Sequence, residues 1–535
     1  MIDTSVRATP EISTARRGAA LAVLCVSLLV VTLDNTVLNT ALPTLVRDLH
    51  ANDTQLQWIV DAYALVFGGL LLVAGSLADR FGRKWTFLAG LVAFAAGSAW
   101  AAFSGSVELL IAARASMGIG GALMMPSTLA IITAMFDDPR QRQRAIGLWA
   151  GTSGVGMGIG PIVGGLLLAH FWWGSVFLIN VPVAVLGLVC ALPLIPDSKN
   201  PAAPRPDLVG SLLSVAGLGM LLWAIIEAPL RGWSSAIVIG TGIGGLAVLA
   251  GFVLWERASS HPMLNLTLLR KRAFSAAVSS VGLVMFGVSG ALFVLTQFLQ
   301  FGLGFSALQA GIRVLPAAGA IAVVSPLAAI LVRMIGTKLT ATAGLLVIAG
   351  GMWQVALTTA STGYTGILPG MILLGVGAGL VSPAATASVM SSVPPEHTGV
   401  GSATNSTFLQ IGGALGVAVI GSVLSTRYQD QITDAVRGFH PPQSLLDSIT
   451  SSIGAAQQVA ARIGGTLGPM LADAAKAAFI SGMDLGLGIG AAFGLAGALI
   501  ALFALPGGPR RRTAPSDDTS GPNDFPAAPA APDKL

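Results

Sequence analysis

Two aspartates and one arginine lie inside apolar runs of this 535-residue sequence. Asp34 interrupts LLVVTLDNTVLN, Asp61 follows WIV, and Arg114 follows LLIAA. Burial in an apolar medium favours a neutral carboxyl, an adjacent guanidinium favours the carboxylate, and arginine itself does not titrate. An aspartate whose distance from Arg114 changes can therefore bind a proton in one conformation and release it in another.

The composition predicts that lipid is the solvent around these three residues. Charged residues make up 10% of the chain, hydrophobic residues 54%, and the mean hydropathy is +0.78. Soluble domains carry about 25% charged residues. Fourteen Gly- and Ala-rich apolar windows of roughly 20 residues, the length that crosses a hydrocarbon core, predict spanning helices rather than a barrel. We number them span 1 to span 14, at about 18–42, 55–78, 84–103, 108–134, 143–169, 173–196, 207–229, 234–255, 273–300, 306–334, 339–360, 364–393, 396–425 and 477–505.

The distribution of basic residues predicts the orientation. With the N-terminus inside, most of the 29 Lys and Arg residues fall in cytoplasmic segments, so both termini are expected in the cytoplasm and the chain in the cell membrane. The net charge of +5 then reflects topology and anionic lipid, and we expect no nucleic-acid partner. The first apolar run lacks a convincing cleavage site and is interpreted as span 1.

The depth of the three charges predicts that they are neighbours. At 1.5 Å per residue, Asp34 lies roughly 12 Å below the outer end of span 1, and Asp61 and Arg114 about 9 Å below theirs. A charge at such depth costs about 2.5–3.5 kcal/mol and normally faces a partner or a cavity. A proton-coupling site explains the three residues, and so does a static ion pair that fixes spans 1, 2 and 4.

Two segments of the chain repeat, which predicts two related halves. GIGGALMMPS at 118–127 returns as GVGAGLVSPA at 375–384, and FGRK at 81–84 returns as IGTK at 335–338. Such repeats are typical of transporters whose halves move about a central site. The predicted organisation is an N-terminal tail 1–17, a six-helix bundle 18–196, a linker 197–206, two inserted helices 207–255, a linker 256–272, a second six-helix bundle 273–505 with a long outer loop 426–476, and a disordered cytoplasmic tail 506–535.

The loop GSLADRFGRKWTF joins spans 2 and 3 and carries a second motif. Gly75 and Gly82 allow close packing and a tight turn, Asp79 is expected to cap the start of span 3, and Arg80 and Arg83 stay on the cytoplasmic side. A positive cytoplasmic loop alone explains the charges. The whole pattern resembles the G-x-L-a-D-r-x-G-r-k loop of the major facilitator superfamily. This resemblance implies that the Asp and Arg close a cytoplasmic gate.

A glycine-rich stretch, GVGMGIGPIVGG, lies within span 5. It follows no strand, so it is not a phosphate-binding loop, and its Gly-x-x-x-Gly spacing predicts close packing of another helix. Gly156, Gly160, Pro161, Gly164 and Gly165 resemble the antiporter motif found in exporters of the superfamily. Generic packing by small residues is the alternative.

Further segments extend the resemblance over nearly the whole chain. They look like segments of the fourteen-helix drug:proton antiporters: LDNTVLNTALP, WIVDAYALVFGGLLL, FWWGSVFLINVPV, RGW, HPMLNLTLLRKRAFSAA and TQFLQFGLGFSALQAGIRVLP. The resemblance implies an all-α integral membrane protein with the major facilitator fold, two six-helix bundles plus two inserted helices. It also implies that Asp34 is the family's acid in span 1 and Arg114 its arginine in span 4. We expect Asp34 to carry the proton and Asp61 to modulate it or attract cations.

Polar side chains at a similar depth are candidates to line the substrate path. They are Asn35, Asn39, Tyr63, Gln297 and Gln300. Asn35 and Asn39 lie one helical step apart on a shared face. Hydrogen bonds between helices explain these residues equally well.

The prediction is therefore a proton-coupled secondary exporter of hydrophobic or amphipathic compounds, neutral or cationic. Its partners would be a small-molecule substrate, protons and membrane lipids, and we expect a monomer that is driven by the proton gradient without a cofactor or metal. The alternative is a proton-coupled transporter for a specific metabolite, lipid or siderophore-like solute, or an importer. An enzyme would need clustered ligands or a nucleophile with its base, and the spans offer neither.

Overall fold

The computed structural model describes residues 13–136, 138–199, 206–259, 262–264, 266–393 and 398–506. Within these ranges every regular element is a helix. The predicted disorder of the first dozen residues and of the tail from 507 lies outside the described residues, as does linker segment 200–205.

The helices of the first part of the chain follow one another with short connections. They are α1 (Thr14–Asp48), α2 (Asp53–Phe81), α3 (Arg83–Ala102), α4 (Val107–Met135), α5 (Pro139–His170), α6 (Ser175–Leu178), α7 (Asn180–Leu194), α8 (Leu208–Arg231) and α9 (Ala236–Ala258).

The second part begins with a short helix and includes one π-helical and one 3-10 turn. Its α-helices are α10 (Leu266–Leu269), α11 (Arg272–Gln297), α12 (Ala307–Ala356), α13 (Tyr364–Ser391), α14 (Thr398–Val436), α15 (Gln443–Ser451), α16 (Ile453–Ile463) and α17 (Leu467–Ala504). The π-helix Phe298–Gly302 extends α11, and the 3-10 turn Arg437–Phe439 follows α14.

Two capping boxes show where local sequence begins a helix. The Asn52 side chain accepts from the Gln55 amide at 2.8 Å, and the Gln55 side chain accepts from the Asn52 amide at 3.0 Å. Ser306 and Gln309 form the same reciprocal pair before α12. The two boxes lie 254 residues apart and open the second helix of each predicted half.

All fourteen predicted spans correspond to helix in the described residues. Thirteen helices are long and apolar enough to cross a membrane. One of them, α12, has 50 residues, which gives about 75 Å against a hydrocarbon core of about 30 Å. Gly336 interrupts it with a φ of 84°, so α12 is two spans joined at a turn. The protein is therefore a multi-pass membrane protein.

We name the two ends of the bundle after residues in its loops. The Asn52 end holds the connection between α1 and α2, and the Gly82 end holds the connection between α2 and α3. At the Asn52 end the halves meet, because Gln300 Nε2 donates to the Thr40 carbonyl at 2.9 Å. Near the Gly82 end, by contrast, Gly147 and Gly151 of α5 face open space in the described structure.

The inserted helices α8 and α9 lie on one side of the two halves. Leu222 and Ile226 of α8 form an apolar cluster with Ala414 and Ala418 of α14. The Ser211 hydroxyl donates to the Gly69 carbonyl of α2 at 3.0 Å. Thus α8 packs along the line where α2 and α14 meet.

The predicted outer loop 426–476 is largely helical. It contains the end of α14, all of α15 and α16, and the start of α17. Gly454 of α16 packs against Val46 of α1 and Phe301 of the π-helix. Gln457 Nε2 donates to the Phe301 carbonyl at 2.8 Å. This segment therefore contacts both halves at the Asn52 end.

Candidate proton site and substrate cavity

Asp34 and Arg114 form a buried ion pair. Arg114 Nη1 donates to Asp34 Oδ2, and the two side chains are 0% and 1% exposed for Arg114 and Asp34, respectively. The pair joins the middle of α1 to α4. The guanidinium is therefore the buried counter-charge of the Asp34 side chain.

Asn180 binds the other carboxylate oxygen of Asp34. Its Nδ2 donates to Asp34 Oδ1 at 2.9 Å and lies 3.4 Å from the Ser98 hydroxyl of α3. Asn180 is the first residue of α7, where a break at Ile179 separates α6 from α7 within predicted span 6. Both carboxylate oxygens therefore accept a hydrogen bond from a buried donor.

Arg114 is held by α2 as well as by Asp34. Its Nε donates to the Ile59 carbonyl at 3.1 Å, and its guanidinium carbon lies 4.4 Å from the centre of the Tyr63 ring. The Phe177 ring lies 6.0 Å away. Two aromatic faces stabilise the cation through cation–π attraction. Arg114 Nη2 has no hydrogen-bond partner among the described residues.

Asp61 is buried without joining this pair. It is 0% exposed, and neither carboxylate oxygen has a hydrogen-bond partner among the described residues. Of the three charges predicted to be neighbours, the structure thus pairs Asp34 with Arg114 and leaves Asp61 unpaired.

A largely apolar cavity lies between the two halves. Thr36, two residues from Asp34 on α1, is among the residues that line it. The other lining side chains come from α5 and from α11, α12 and α13. The lining residues are Thr36, Met157, Pro161, Val288, Leu292, Leu295, Val314, Ala317, Ala318, Ile321, Met371, Leu374 and Gly375.

The five side chains predicted to line the substrate path are not among these. Asn35 and Asn39 donate to carbonyls of their own helix at 3.1 and 3.0 Å. Tyr63 packs under Arg114, and Gln300 contributes to the contact at the Asn52 end. Gln297 is 1% exposed and donates to the Phe293 carbonyl at 3.3 Å. Their role in binding substrate stays a prediction.

The glycine motif of α5 packs against α1. A Cβ on Gly156 or Gly160 would overlap Thr32 or Thr36, which both lie on α1. The Thr36 hydroxyl also lies 3.4 Å from the Gly156 carbonyl. These glycines therefore allow α1 to pack closely against α5.

The far end of the same motif packs against the other half. A Cβ on Gly164 would lie 3.0 Å from Val37 of α1, and one on Gly165 would overlap Leu308 of α12. Gly311 of α12 approaches the Pro161 carbonyl just as closely. The α5 motif therefore contacts α1 of its own half and α12 of the other.

The prediction that Asp79 caps the third helix is wrong. α2 continues to Phe81, so Asp79 lies inside it, and the residue before α3 is Gly82, with a φ of 115° and no side-chain cap. Asp79 Oδ1 instead accepts from Arg83 Nε and Nη2 at 2.9 and 2.8 Å. Arg83 Nη1 also lies 3.4 Å from the Ala130 carbonyl of α4.

Gly75 and Arg80 of the same α2–α3 motif do not take part in the Asp79–Arg83 pair. Gly75 of α2 lies near Pro126 of α4, where an added Cβ would come to 3.8 Å. Arg80 is exposed. The Asp79–Arg83 pair thus ties the α2–α3 turn to α4 within one half.

Sequence reasoning overlooked two polar residues at the ion pair and one acid elsewhere in the bundle. No sequence pattern distinguishes Asn180 and Ser98 from other uncharged polar residues in the helices. Asp484 is different, because it is an acid inside α17 and its Oδ1 has no partner among the described residues. A charge within an apolar span is itself the signal that could have identified it.

The helices, the internal ion pair and the apolar cavity define a multi-pass membrane protein with a chamber between two helical halves. Residues 24–417 match the Major Facilitator Superfamily, and the chain belongs to this superfamily of transporters.

Its relatives include proteins that carry names of drug exporters. The chain is 36% identical over 491 residues to the multidrug efflux pump LfrA of Mycolicibacterium smegmatis, covering 90% of this chain and 95% of that protein. It is 33% identical over 516 residues to the tetracenomycin C resistance and export protein of Streptomyces glaucescens, covering 96% and 94%.

Solved structures show the same fold. A bacterial homolog of the human lysosomal transporter Spinster, in an inward-facing and unoccupied conformation, superposes with a TM-score of 0.64 at 19% identity. The match covers 92% of this chain and 98% of that one.

Proposed function

We propose that the protein exports hydrophobic or amphipathic compounds, neutral or cationic, in exchange for protons. One observation carries this proposal: Asp34, which is paired with Arg114, lies on the same helix as Thr36, and Thr36 lines the apolar cavity. A change in the position of α1 would alter both the environment of the carboxylate and the shape of the cavity. The relatives' names, which refer to multidrug efflux and antibiotic export, support an exported organic compound.

In this proposal Asp34 binds the proton and Arg114 is its movable counter-charge. Arg114 lies next to Asp34 in the structure, and in this proposal it balances the charge that remains after Asp34 has released its proton. When the halves rearrange and Arg114 withdraws, the buried carboxylate takes up a proton from the other side of the membrane. One proton moving through 100 mV supplies about 2.3 kcal/mol, enough for roughly a fifty-fold gradient of a neutral solute.

The cavity determines which compounds are carried. Its lining is aliphatic and includes methionine side chains, Met157 and Met371, whose flexible thioethers adapt to different shapes. Such a surface selects for apolar area rather than for one pattern of hydrogen bonds. This favours several related substrates over one specific metabolite, and the cavity has no carboxylate for multiply charged cations.

We place the Gly82 end in the cytoplasm and the protein in the cell membrane. The positive-inside distribution of Lys and Arg supports this orientation. With this orientation, the contact between the halves at the Asn52 end closes the outer side. The Asp79–Arg83 pair and the α5 motif would serve the cytoplasmic gate and the contact between halves.

Everted membrane vesicles with an acidified interior test the proposal. Adding a fluorescent cationic substrate, such as ethidium, should release protons from the vesicles as the substrate enters. Asp34→Asn should abolish this release while the protein stays in the membrane. Asp48→Asn, an exposed acid at the end of the same helix, should leave it unchanged. Full proton release with Asp34→Asn would refute the assignment, and absence of release by the unaltered protein would favour an importer.

A further inference from the structure

Another buried acid lies at the contact between the halves, outside the site described above. Asp53 is the first residue of α2 and is only 4% exposed. Its Oδ1 has no hydrogen-bond partner among the described residues. Neither the ion pair nor the cavity uses this side chain.

The surroundings of Asp53 join α2 to α14. One turn further along α2, the Gln57 side chain is 0% exposed and accepts from the Ser422 hydroxyl of α14 at 3.1 Å. Gly421 packs against the same glutamine, where an added Cβ would come to 2.8 Å. Asp53 thus lies one helical turn from a contact between α2 and α14 that must separate if the Asn52 end opens.

Tyr428 connects the α2–α14 contact to α15. Its ring is fully buried on α14, close enough to Asp53 for the two groups to interact electrostatically. Its hydroxyl donates to the Ile449 carbonyl of α15 at 2.9 Å. Separation of α2 from α14 would expose Asp53 on one side and disturb the support of α15 on the other.

No cation in the described residues neutralises Asp53. Tyr428 is the titratable group that faces it from α14. On α8, Glu227 is paired with Arg231 at 3.0 Å. On α14, Arg427 is exposed and binds the Ser481 hydroxyl at 3.2 Å. A carboxyl buried without a counter-charge is stabilised in its neutral form, and hydration stabilises the ionised form.

We propose that Asp53 is a proton-linked residue of the outer gate, protonated while α2 and α14 are in contact and ionised when they separate. This inference rests on the proposed function, in which the Asn52 end faces outward and the cavity opens alternately to the two sides of the membrane. External protons then favour closure of the outer side, after a substrate has left. Asp53 takes up its proton from the outside and releases it to the outside. It therefore affects closure of the outer gate without adding to the number of protons transported.

A distance measurement across the Asn52 end tests the inference. Spin labels at Phe103→Cys and Arg437→Cys, both exposed, report the separation of the halves in lipid nanodiscs, with Cys25→Ser and Cys190→Ser as background. The ratio of open to closed protein should rise with pH, by up to tenfold per pH unit for a single linked proton. The Asp53→Asn variant should remain closed at every pH.

Three further variants make the result specific. All measurements are repeated in an Asp34→Asn background, so that the proton of the central site does not contribute. Asp53→Glu retains an acid and should keep the pH response. Asp430→Asn, an exposed acid on α14, should behave like the unaltered protein.

The possible outcomes separate this inference from the proposed function. A pH response that persists in Asp53→Asn, or is lacking in the unaltered protein, overturns the gate role of Asp53. Proton release by Asp34→Asn vesicles overturns the proposed function instead. A loss of pH response confined to the Asp53→Asn variant supports the gate role.

Discussion

Asn180 donates a hydrogen bond of 2.9 Å to the one oxygen of Asp34 that Arg114 does not bind. The amide comes from α7 and the guanidinium from α4, so the carboxylate joins three helices of one half. A buried polar oxygen needs a hydrogen-bond donor, and a neutral amide supplies one without adding a charge. Asn180 therefore stabilises the position of the Asp34 side chain.

Replacing Asn180 with Ala should destabilise the protein. The buried Asp34 side chain loses a charge-assisted hydrogen bond, worth about 1.5–3 kcal/mol. Thermal unfolding in detergent would show the loss as a lower melting temperature. Ser98→Ala, which removes only the 3.4 Å contact to Asn180, should have a smaller effect. Identical melting temperatures for all three proteins would contradict this role.

Arg114→Ala should destabilise the protein as well as inactivate it. Removing one partner of a buried pair leaves an uncompensated charge and costs about 3–5 kcal/mol. The double variant Arg114→Ala with Asp34→Asn should regain much of the thermal stability in detergent, because no charge is left unpaired, but no coupled transport. If the two substitutions were simply additive in melting temperature, the ion pair would have no energetic significance.

Gly160→Ala should abolish transport, whereas Gly154→Ala should not. A Cβ on Gly160 would overlap the Thr36 hydroxyl of α1, but one on Gly154 would meet open space. The two glycines lie on the same helix and differ only in what they face. Combining Gly160→Ala with Thr36→Ala should recover part of the rate by making room, as measured by ethidium efflux. Equal activity of the two single variants would exclude a packing role for this glycine.

Ala318→Trp should raise the KM for bulky substrates. Ala318 lines the cavity, and an indole there occupies space that the substrate needs. Ile312→Trp changes the same helix at a side chain that is 48% exposed, and should leave the KM unaltered. Concentration-dependent uptake into everted vesicles distinguishes the two. A similar KM for both variants would mean that substrates bind elsewhere.

The sequence was sufficient to predict the spans and the central pair. Depth along span 1 and span 4 placed Asp34 and Arg114 at one level, and a charge in lipid requires a partner. The same argument failed for Asp61, because depth gives no information on the direction in which a side chain points. The α2 face that carries Asp61 does not bring its oxygens to Arg114, whose Nε binds the Ile59 carbonyl instead.

Other features depend on tertiary contacts that local patterns do not encode. Asp79 appeared to precede a helix, but α2 continues for two further residues and the acid pairs with Arg83. The cavity lining is aliphatic, and aliphatic residues are so frequent in a spanning helix that nothing distinguishes those that face a chamber. Asn180 reaches Asp34 across 146 positions of the chain, a contact that only the fold produces.

The position of α8 and α9 makes the two lateral flanks of the transporter unequal. These helices wall off the flank between α2 and α14, and the opposite flank, between α5 and α12, has no such cover in the described structure. Lipid can therefore contact α5 and α12 directly on one flank, whereas α8 separates lipid from the contact between α2 and α14 on the other.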